Sequence, residues 1–236
     1  MAEILLVDDS AALSELFART IEHELGHRVY AVQFIADLGE TLTSIGRLDL
    51  ALVDLSFPGQ DASGLDALVE IERSMPTCTM AIITQGDEYV ADLLRDAWEL
   101  LPVVTVISKS APLAHQLRMI DELINVGTAP PDPAVQPLLP RRHPHGRTAE
   151  SFRFLVQHAG HAKLWLALLT SPEASYKVLA DLTGLKLNTL KNYRAQLVDE
   201  LERHGLHDPT LREMGAFAVR CRPFLRPFLL RHLPPT

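Results

Sequence analysis

Over the first half of the chain, short apolar blocks alternate with longer amphipathic stretches. EILLV (3–7) precedes SAALSELFARTIEHEL, and RVYAVQF (28–34) precedes ADLGETLTSIG. LALVD (50–54) precedes a loop and GLDALVEIERS, MAIIT (80–84) precedes DEYVADLLRDAWEL, and VVTVI (103–107) precedes PLAHQLRMIDELI. Blocks this short and this apolar predict strands buried on both faces, and the stretches between them repeat at helical spacing. Five β-α units in a row predict an α/β domain: a doubly wound, five-stranded parallel sheet with helices on both sides. Right-handed crossovers then place all five strand C-termini on one edge, where open α/β sheets bind ligands.

The pattern changes after residue 126. In VGTAPPDPAVQPLLPRRHPHGRT (126–148), six prolines fall between Pro130 and Pro144. Proline removes a backbone donor and fixes φ, so the segment predicts a break in regular structure and a semi-rigid polyproline spacer. The expected organisation is a first domain at 1–126, a proline-rich linker at 127–147 and a second, all-α domain at 148–236. His143, Pro144 and His145 read as linker, not as a metal site. SFRFLVQHAG and HAKLWLALLT predict helices, with Trp165, Leu166, Leu168 and Leu169 as core. In SYKVLADLTGLKLNTLKNYRAQLVDELERHGL (175–206), Val178, Leu179 and Leu182 give one short helix and Gly184 a tight turn. Leu187, Leu190, Leu197 and Leu201 then give a second helix. Two helices joined by a short glycine turn predict a helix-turn-helix. A helical extension follows at 208–236. Its Met214, Phe217, Cys221, Phe224, Phe228 and Leu229 either cover the core or form a subunit contact, and Pro223 and Pro227 are expected to break its helix.

Composition sharpens this division. The 236 residues carry a net charge of −8, which is unevenly distributed. Residues 1–140 contain 7 Lys+Arg and 22 Asp+Glu, and residues 141–236 contain 15 and 8. An acidic front half suits a cation, and a basic back half suits a polyanion. The absence of an eighteen-residue apolar run and of a secretion signal leads us to expect a cytoplasmic protein without a membrane span. The two cysteines, Cys78 and Cys221, read as reduced thiols.

The polar residues at the strand ends carry the chemistry. Asp8 and Asp9 follow the first strand, Asp54 ends the third, Thr84 ends the fourth and Lys109 follows the fifth. Three carboxylates on one edge call for a hard divalent cation such as Mg²⁺. A lysine there neutralises an incoming anion, and a threonine hydroxyl can donate to it. A carboxylate so held can attack a phosphoryl group and become an aspartyl phosphate. A helix cap at Asp8, Asp9 or Ser10 accounts for one acidic residue but not for the other strand ends.

On these residues, 1–126 resembles the receiver domain of bacterial two-component response regulators, a flavodoxin-like fold. Pro58, four residues past Asp54, and Gly64 before the next helix also fit. The resemblance implies that Asp54 is the phosphoacceptor, with Thr84 and Lys109 completing the reactive set. It also implies Mg²⁺ ligation by Asp9, Asp54 and the Ser56 carbonyl, with Asp8 acting mostly through water. A sensor histidine kinase or small phosphodonor is the implied partner, and the receiver is an acceptor with at most auto-dephosphorylation, not an enzyme. There are departures. Val106 stands where receivers carry Tyr or Phe, Gln85 where a small residue is usual, and Ser110 where proline is common. The fourth helix ends AWELLPV, not Ala-Gly-Ala. These bear on the relay from pocket to surface, not on phosphorylation.

In the second domain, Lys186, Asn188, Thr189, Lys191, Asn192 and Arg194 lie opposite the leucines. A basic, amide-rich first half suits a recognition helix entering the major groove. GLKLNTLKNY resembles the turn and recognition helix of LuxR-type domains, through Ala180, Gly184, Leu185, Thr189, Leu190, Lys191 and Asn192. That resemblance implies binding to double-stranded DNA as a homodimer, with Lys191 and Asn192 towards bases and Thr189 towards backbone. The Leu-Thr-x-Arg-Glu opening of that family is missing, and Thr183 replaces an apolar residue. The expected function is a phosphorylation-dependent, DNA-binding transcriptional regulator. The alternative is a regulator that acts through protein contacts, with a receiver that is weakly phosphorylated or not at all.

Overall fold

The computed structural model of the protein describes residues 1–86, 90–140 and 148–232, without the side chain of Leu13. The chain forms two compact units, Met1–Pro144 and His145–Thr236. His143 and His145, which the sequence assigns to the linker, lie outside the described residues.

The first unit is built on five strands: β1 (Glu3–Val7), β2 (Arg28–Val32), β3 (Leu50–Val53), β4 (Thr79–Thr84) and β5 (Val103–Ser108). All neighbouring pairs are parallel, in the order β2-β1-β3-β4-β5. The three inner strands are buried along almost their whole length, which is why their sequences read as continuous apolar runs. Five helices cover the two faces: α1 (Ala11–Leu25), α2 (Leu38–Ile45), α3 (Gly64–Ser74), α4 (Ala91–Leu100) and α5 (Leu113–Val126). One face of the sheet packs Ile4, Leu6, Leu52 and Ile83 against Ile21 of α1 and Ile120 and Leu123 of α5. Helices α1 and α5 both end on a left-handed glycine, Gly26 and Gly127, whose N–H closes the last turn.

The segment after α5 differs from the expected spacer. Residues 128–140 do not leave the first unit at residue 126 but return over the edge of β5. The Asp132 N–H donates to the Val106 carbonyl at 2.9 Å, and Ala129, Asp132 and Val135 are buried. A short 3-10 turn at Gln136–Leu138 follows. The prolines suit this role: an already extended chain loses little entropy on docking, and Asp132 and Val135 keep the donors that proline lacks.

The second unit is helical throughout its regular structure: α6 (Ala159–Thr170), α7 (Tyr176–Thr183), α8 (Leu187–Arg203), α9 (Leu211–Arg220) and α10 (Arg222–Arg231), preceded by a 3-10 stretch at Ala149–Leu155. Trp165 is fully buried, and its indole N–H donates to the Leu155 carbonyl at 2.8 Å. Phe152 stacks on Phe217 of α9 and Phe224 of α10, so the C-terminal extension covers the core of its own unit. Gly215 permits this packing, because a Cβ there would overlap the Pro172 carbonyl.

Three expectations need correction. SFRFLVQHAG is a 3-10 stretch that gives way to α6 at Ala159, not an α-helix of its own. Pro227 lies inside α10 without ending it. Pro223 stands in the first turn, where no donor is required, and the buried Phe224, Leu225, Phe228 and Leu229 offset the single bond lost at Pro227. Val178, Leu182 and Leu187 are exposed and not core, whereas Leu179, Leu190, Leu197 and Leu201 are buried. Val178 and Leu182 are four residues apart and share a face, and the burial of Leu179 turns that face outwards.

Candidate functional site: a carboxylate–lysine pocket at the strand ends

Parallel register brings the polar strand ends together. The Asp8 N–H donates to the Val32 carbonyl, the Asp54 N–H to the Val7 carbonyl and the Lys109 N–H to the Thr84 carbonyl, at 2.8–3.0 Å. Each residue is therefore fixed by the strand beside it. Asp8, Asp9 and Asp54 each offer a carboxylate oxygen, and the three oxygens lie within 4.8 Å of one another. Asp8 and Asp54 are buried, and Asp9 is half-buried.

Lys109 answers the two buried charges. Its Nζ lies 2.7 Å from Asp8 Oδ2 and 2.6 Å from Asp54 Oδ2. Burial works to lower the lysine pKa, but Asp54 and Asp8 outweigh it and raise the value above the ordinary one. Burial also raises the Asp54 carboxyl above its usual range, with Asp8 adding to the effect and Lys109 opposing it. Three carboxylates beside one ammonium leave acidic charge in excess, and a divalent cation fits that excess. Asp54 Oδ1 accepts from the Leu55 N–H at 2.7 Å, which aims the carboxylate and leaves Oδ2 towards the lysine. Asp8 Oδ1 accepts from the Ser10 N–H at 2.9 Å, while the Ser10 side chain makes no cap bond at α1. Asp8 thus serves both the turn and the pocket.

The loop behind Asp54 requires Gly64. A Cβ there would overlap the Asp54 carbonyl, so the start of α3 can lie against the acceptor only with glycine. Ser63 and Asp66 cap that helix reciprocally. Thr84 is buried, and its Oγ1 accepts from the Gly86 N–H at 3.3 Å. Asp8, Asp9, Asp54, Ser56, Thr84 and Lys109 all line one cavity of about 600 Å³. Gln85 is exposed and lies at its wall.

Sequence reasoning missed Ser14 and Gln116, which line the same cavity. Gln116 donates from Nε2 to the Lys109 and Ala111 carbonyls, holding the turn that carries the lysine. The signal was a polar residue on the core-facing side of α5, which is costly unless it is bonded.

No protein-family model and no curated protein sequence matches the chain. Solved structures do. One is a LuxR-family two-component response regulator from Aurantimonas sp. SI85-9A1, at 24% identity over 57% of this chain and 92% of that chain, with TM-score 0.48. Another is the response regulator TrrA from Thermotoga maritima in complex with Mg²⁺ and beryllofluoride, at 24% identity over 52% and 99%, with TM-score 0.43. A third is the isolated receiver domain of RcsB from Salmonella enterica serovar Typhimurium, at 17% identity over 59% and 99%, with TM-score 0.49. The chain resembles response-regulator receivers.

In the second unit, α7 ends on Gly184 in the left-handed conformation, and α8 follows from Leu187. Thr183 has a structural task there. Its Oγ1 donates to the Leu179 carbonyl at 2.6 Å and accepts from the Leu185 N–H at 3.2 Å, closing the turn. Lys186, Asn188, Lys191 and Asn192 are exposed, and Thr189 is half-buried. Arg194 is engaged within its own unit: Nε donates to the Pro209 carbonyl at 2.8 Å, and the guanidinium lies 2.7 Å from Asp208 Oδ1.

Proposed function

We propose that the protein is a response regulator whose Asp54 accepts a phosphoryl group and whose second unit binds double-stranded DNA. The observation that carries the first half is Lys109 bridging Asp8 and Asp54 with Asp9 beside them, at the C-terminal edge of a parallel sheet. In the reaction, a carboxylate oxygen of Asp54 attacks the donor phosphorus and the bond from phosphorus to the donor atom breaks. The leaving group departs with that electron pair. Lys109 shifts from the carboxylate towards the transferred oxygens, and Thr84 supplies a hydroxyl donor. Asp8, Asp9, Asp54 and the Ser56 carbonyl are the groups that would hold Mg²⁺, which when bound neutralises charge developing on the phosphoryl oxygens. A sensor histidine kinase or a small acyl phosphate is the donor.

For the second half, the support is the exposed set Lys186, Asn188, Lys191 and Asn192 at the start of α8, with Thr189 beside it. Lys191 and Asn192 face base edges, while Lys186 and Thr189 face phosphate. A homodimer reading two half-sites is the expected assembly. A regulator acting through protein contacts is the second reading. The observation favouring it is the exposed apolar trio Val178, Leu182 and Leu187.

The test is labelling with acetyl phosphate and Mg²⁺, followed by DNA retardation of the full chain at several salt concentrations. Acid-labile label on the wild type and none on Asp54→Asn supports the acceptor. Retardation that weakens steeply with salt supports DNA binding, because binding to phosphates releases counterions. Label on Asp54→Asn sinks the acceptor assignment, and no retardation at any salt concentration leaves the protein-contact reading.

A further inference from the structure

The segment that follows α5 touches the loop that follows Thr84. A Cβ on Gly86 would stand 3.0 Å from Val135 Cγ1 and 3.4 Å from Leu138 Cδ1, so the glycine backbone lies directly under those two side chains. The same Gly86 donates its N–H to Thr84 Oγ1. The segment is anchored by two further contacts, both at Asp132. Its N–H donates to the Val106 carbonyl at 2.9 Å and its Oδ2 lies 3.2 Å from His115 Nε2 on α5, while Oδ1 accepts from the Ala134 N–H at 2.8 Å within the segment itself. Val135 and Asp132 are almost fully buried, at 1% and 5% exposure, in a stretch that prolines keep from forming a long helix or strand.

We infer that residues 128–140 form a strap that reads the state of Thr84 through Gly86. The inference rests on the acceptor role proposed for Asp54. With phosphoryl oxygens near, the Thr84 hydroxyl turns towards Asp54 and gives up the Gly86 N–H. Gly86 then shifts beneath Val135 and Leu138. Those two side chains lose their seat, and the strap opens more often, breaking the Asp132 bond to Val106 as it does so. Val106 suits this device: it offers a small side chain and a carbonyl on the edge of β5, and the strap takes that carbonyl. The coupling needs two arrangements of one element, docked and loosened, with the pocket favouring one of them.

Amide hydrogen exchange on the full chain tests this, read at Asp132 and Val135, whose N–H groups are bonded in the docked strap. Three samples are compared in Mg²⁺: the wild type, the wild type with beryllofluoride whose occupancy is counted by fluorine NMR, and Thr84→Val. Both altered samples are expected to exchange about fivefold faster or more at these amides, with no change at Leu5 and Leu6 in β1. Thr84→Ser, which restores the hydroxyl, is expected to return to the wild-type rate. Unchanged exchange in Thr84→Val, or in Thr84→Ala if the valine variant does not fold, overturns the strap. So does unchanged exchange at full beryllofluoride occupancy. Failure of beryllofluoride to bind removes the acceptor reading instead, and the strap is then judged on the Thr84 variants alone.

Discussion

Lys109 Nζ lies 2.6 Å from Asp54 Oδ2, joining residues fifty-five positions apart in the chain. The lysine is the cation set against two buried carboxylates, so its removal leaves both without the counter-charge that now touches their Oδ2 atoms. Lys109→Ala is expected to destabilise the first unit by about 3–5 kcal/mol, the usual cost of breaking a buried pair from one side. Mg²⁺ should recover part of that loss, and more in the variant than in the wild type, because it answers the same excess charge. Urea unfolding with and without Mg²⁺ measures both effects. An equal Mg²⁺ gain in the two proteins counts against a cation site at these carboxylates.

Gly64 gives a second, independent handle on the acceptor. A Cβ at this position meets backbone atoms of Asp54 and Leu55, which cannot swing aside as a long side chain can. Gly64→Ala is therefore expected to move the Asp54 backbone or the start of α3, at a cost of about 1–3 kcal/mol. The rate of phosphoryl transfer should fall with it, since a displacement near 1 Å at a reacting group costs about a hundredfold. Unfolding and acetyl phosphate labelling of the same preparation separate the two effects. Wild-type values for both would show that the loop relaxes freely.

The second unit carries a pH-sensitive group in its core. His161 is buried, its Nε2 lies 3.3 Å from Gln196 Oε1, and its Nδ1 has no hydrogen-bond partner among the described residues. Burial, with His158 and His232 adding to it and Gln196 opposing, lowers its pKa from 6.5 to about 4. A depressed histidine is neutral in the fold and binds its proton more readily when unfolded. Its contribution is complete above pH 6.5 and declines as the pH falls towards 4, by at most about 3 kcal/mol for a shift of this size. Urea unfolding followed at Trp165 in a Trp98→Phe background, at pH 7.5 and 4.5, measures the decline. His161→Leu should flatten it, and an unchanged slope in that variant assigns the pH dependence elsewhere.

What could be read from the sequence followed locality. The inner strands announce themselves, because burial on both faces requires an unbroken apolar run, whereas the edge strand β2 is largely open and keeps only a partial one. The chemistry at its C-terminal edge follows, because β-α repetition leaves few topologies. Asp8, Asp9, Asp54, Thr84 and Lys109 meet for that reason. Long-range pairings of single residues were not legible. Nothing near Asp132 announces a bond to Val106, and nothing near Arg194 announces Asp208. The exposure of Val178, Leu182 and Leu187 depends on which face α7 presents to α6 and α8, which helical spacing alone does not choose. Pro227 in α10 is a tertiary override: four buried apolar neighbours outweigh one missing hydrogen bond.

The engagement of Arg194 changes what its removal should do to DNA binding. By charge and position alone, Arg194 would bind phosphate, and its removal should reduce the salt dependence by about one unit. In the fold, its guanidinium is held by Asp208, whose backbone has a positive φ, and by the Pro209 carbonyl. These bonds tie α8 to the loop that leads into α9. Arg194→Ala is therefore expected to lower the stability of the second unit by about 1–3 kcal/mol, as for a hydrogen bond to a charged group, and to leave the salt slope unchanged. Lys191 and Asn192 carry the contrast, because both are exposed on the same helix. Lys191 is also within 5.9 Å of the Tyr176 ring centre, which limits where its ammonium can point. Lys191→Ala should relax a preference for guanine at one base pair, and equal losses on both duplexes would move it from base reading to phosphate. Asn192→Ala should cost about 1–3 kcal/mol on a specific site and little on random duplex. Binding curves for the three variants, on both duplexes and at several salt concentrations, distinguish these roles. A drop in salt slope for Arg194→Ala would mean that the arginine leaves Asp208 for phosphate when DNA arrives. Equal losses on both duplexes for Asn192→Ala would remove it from base reading.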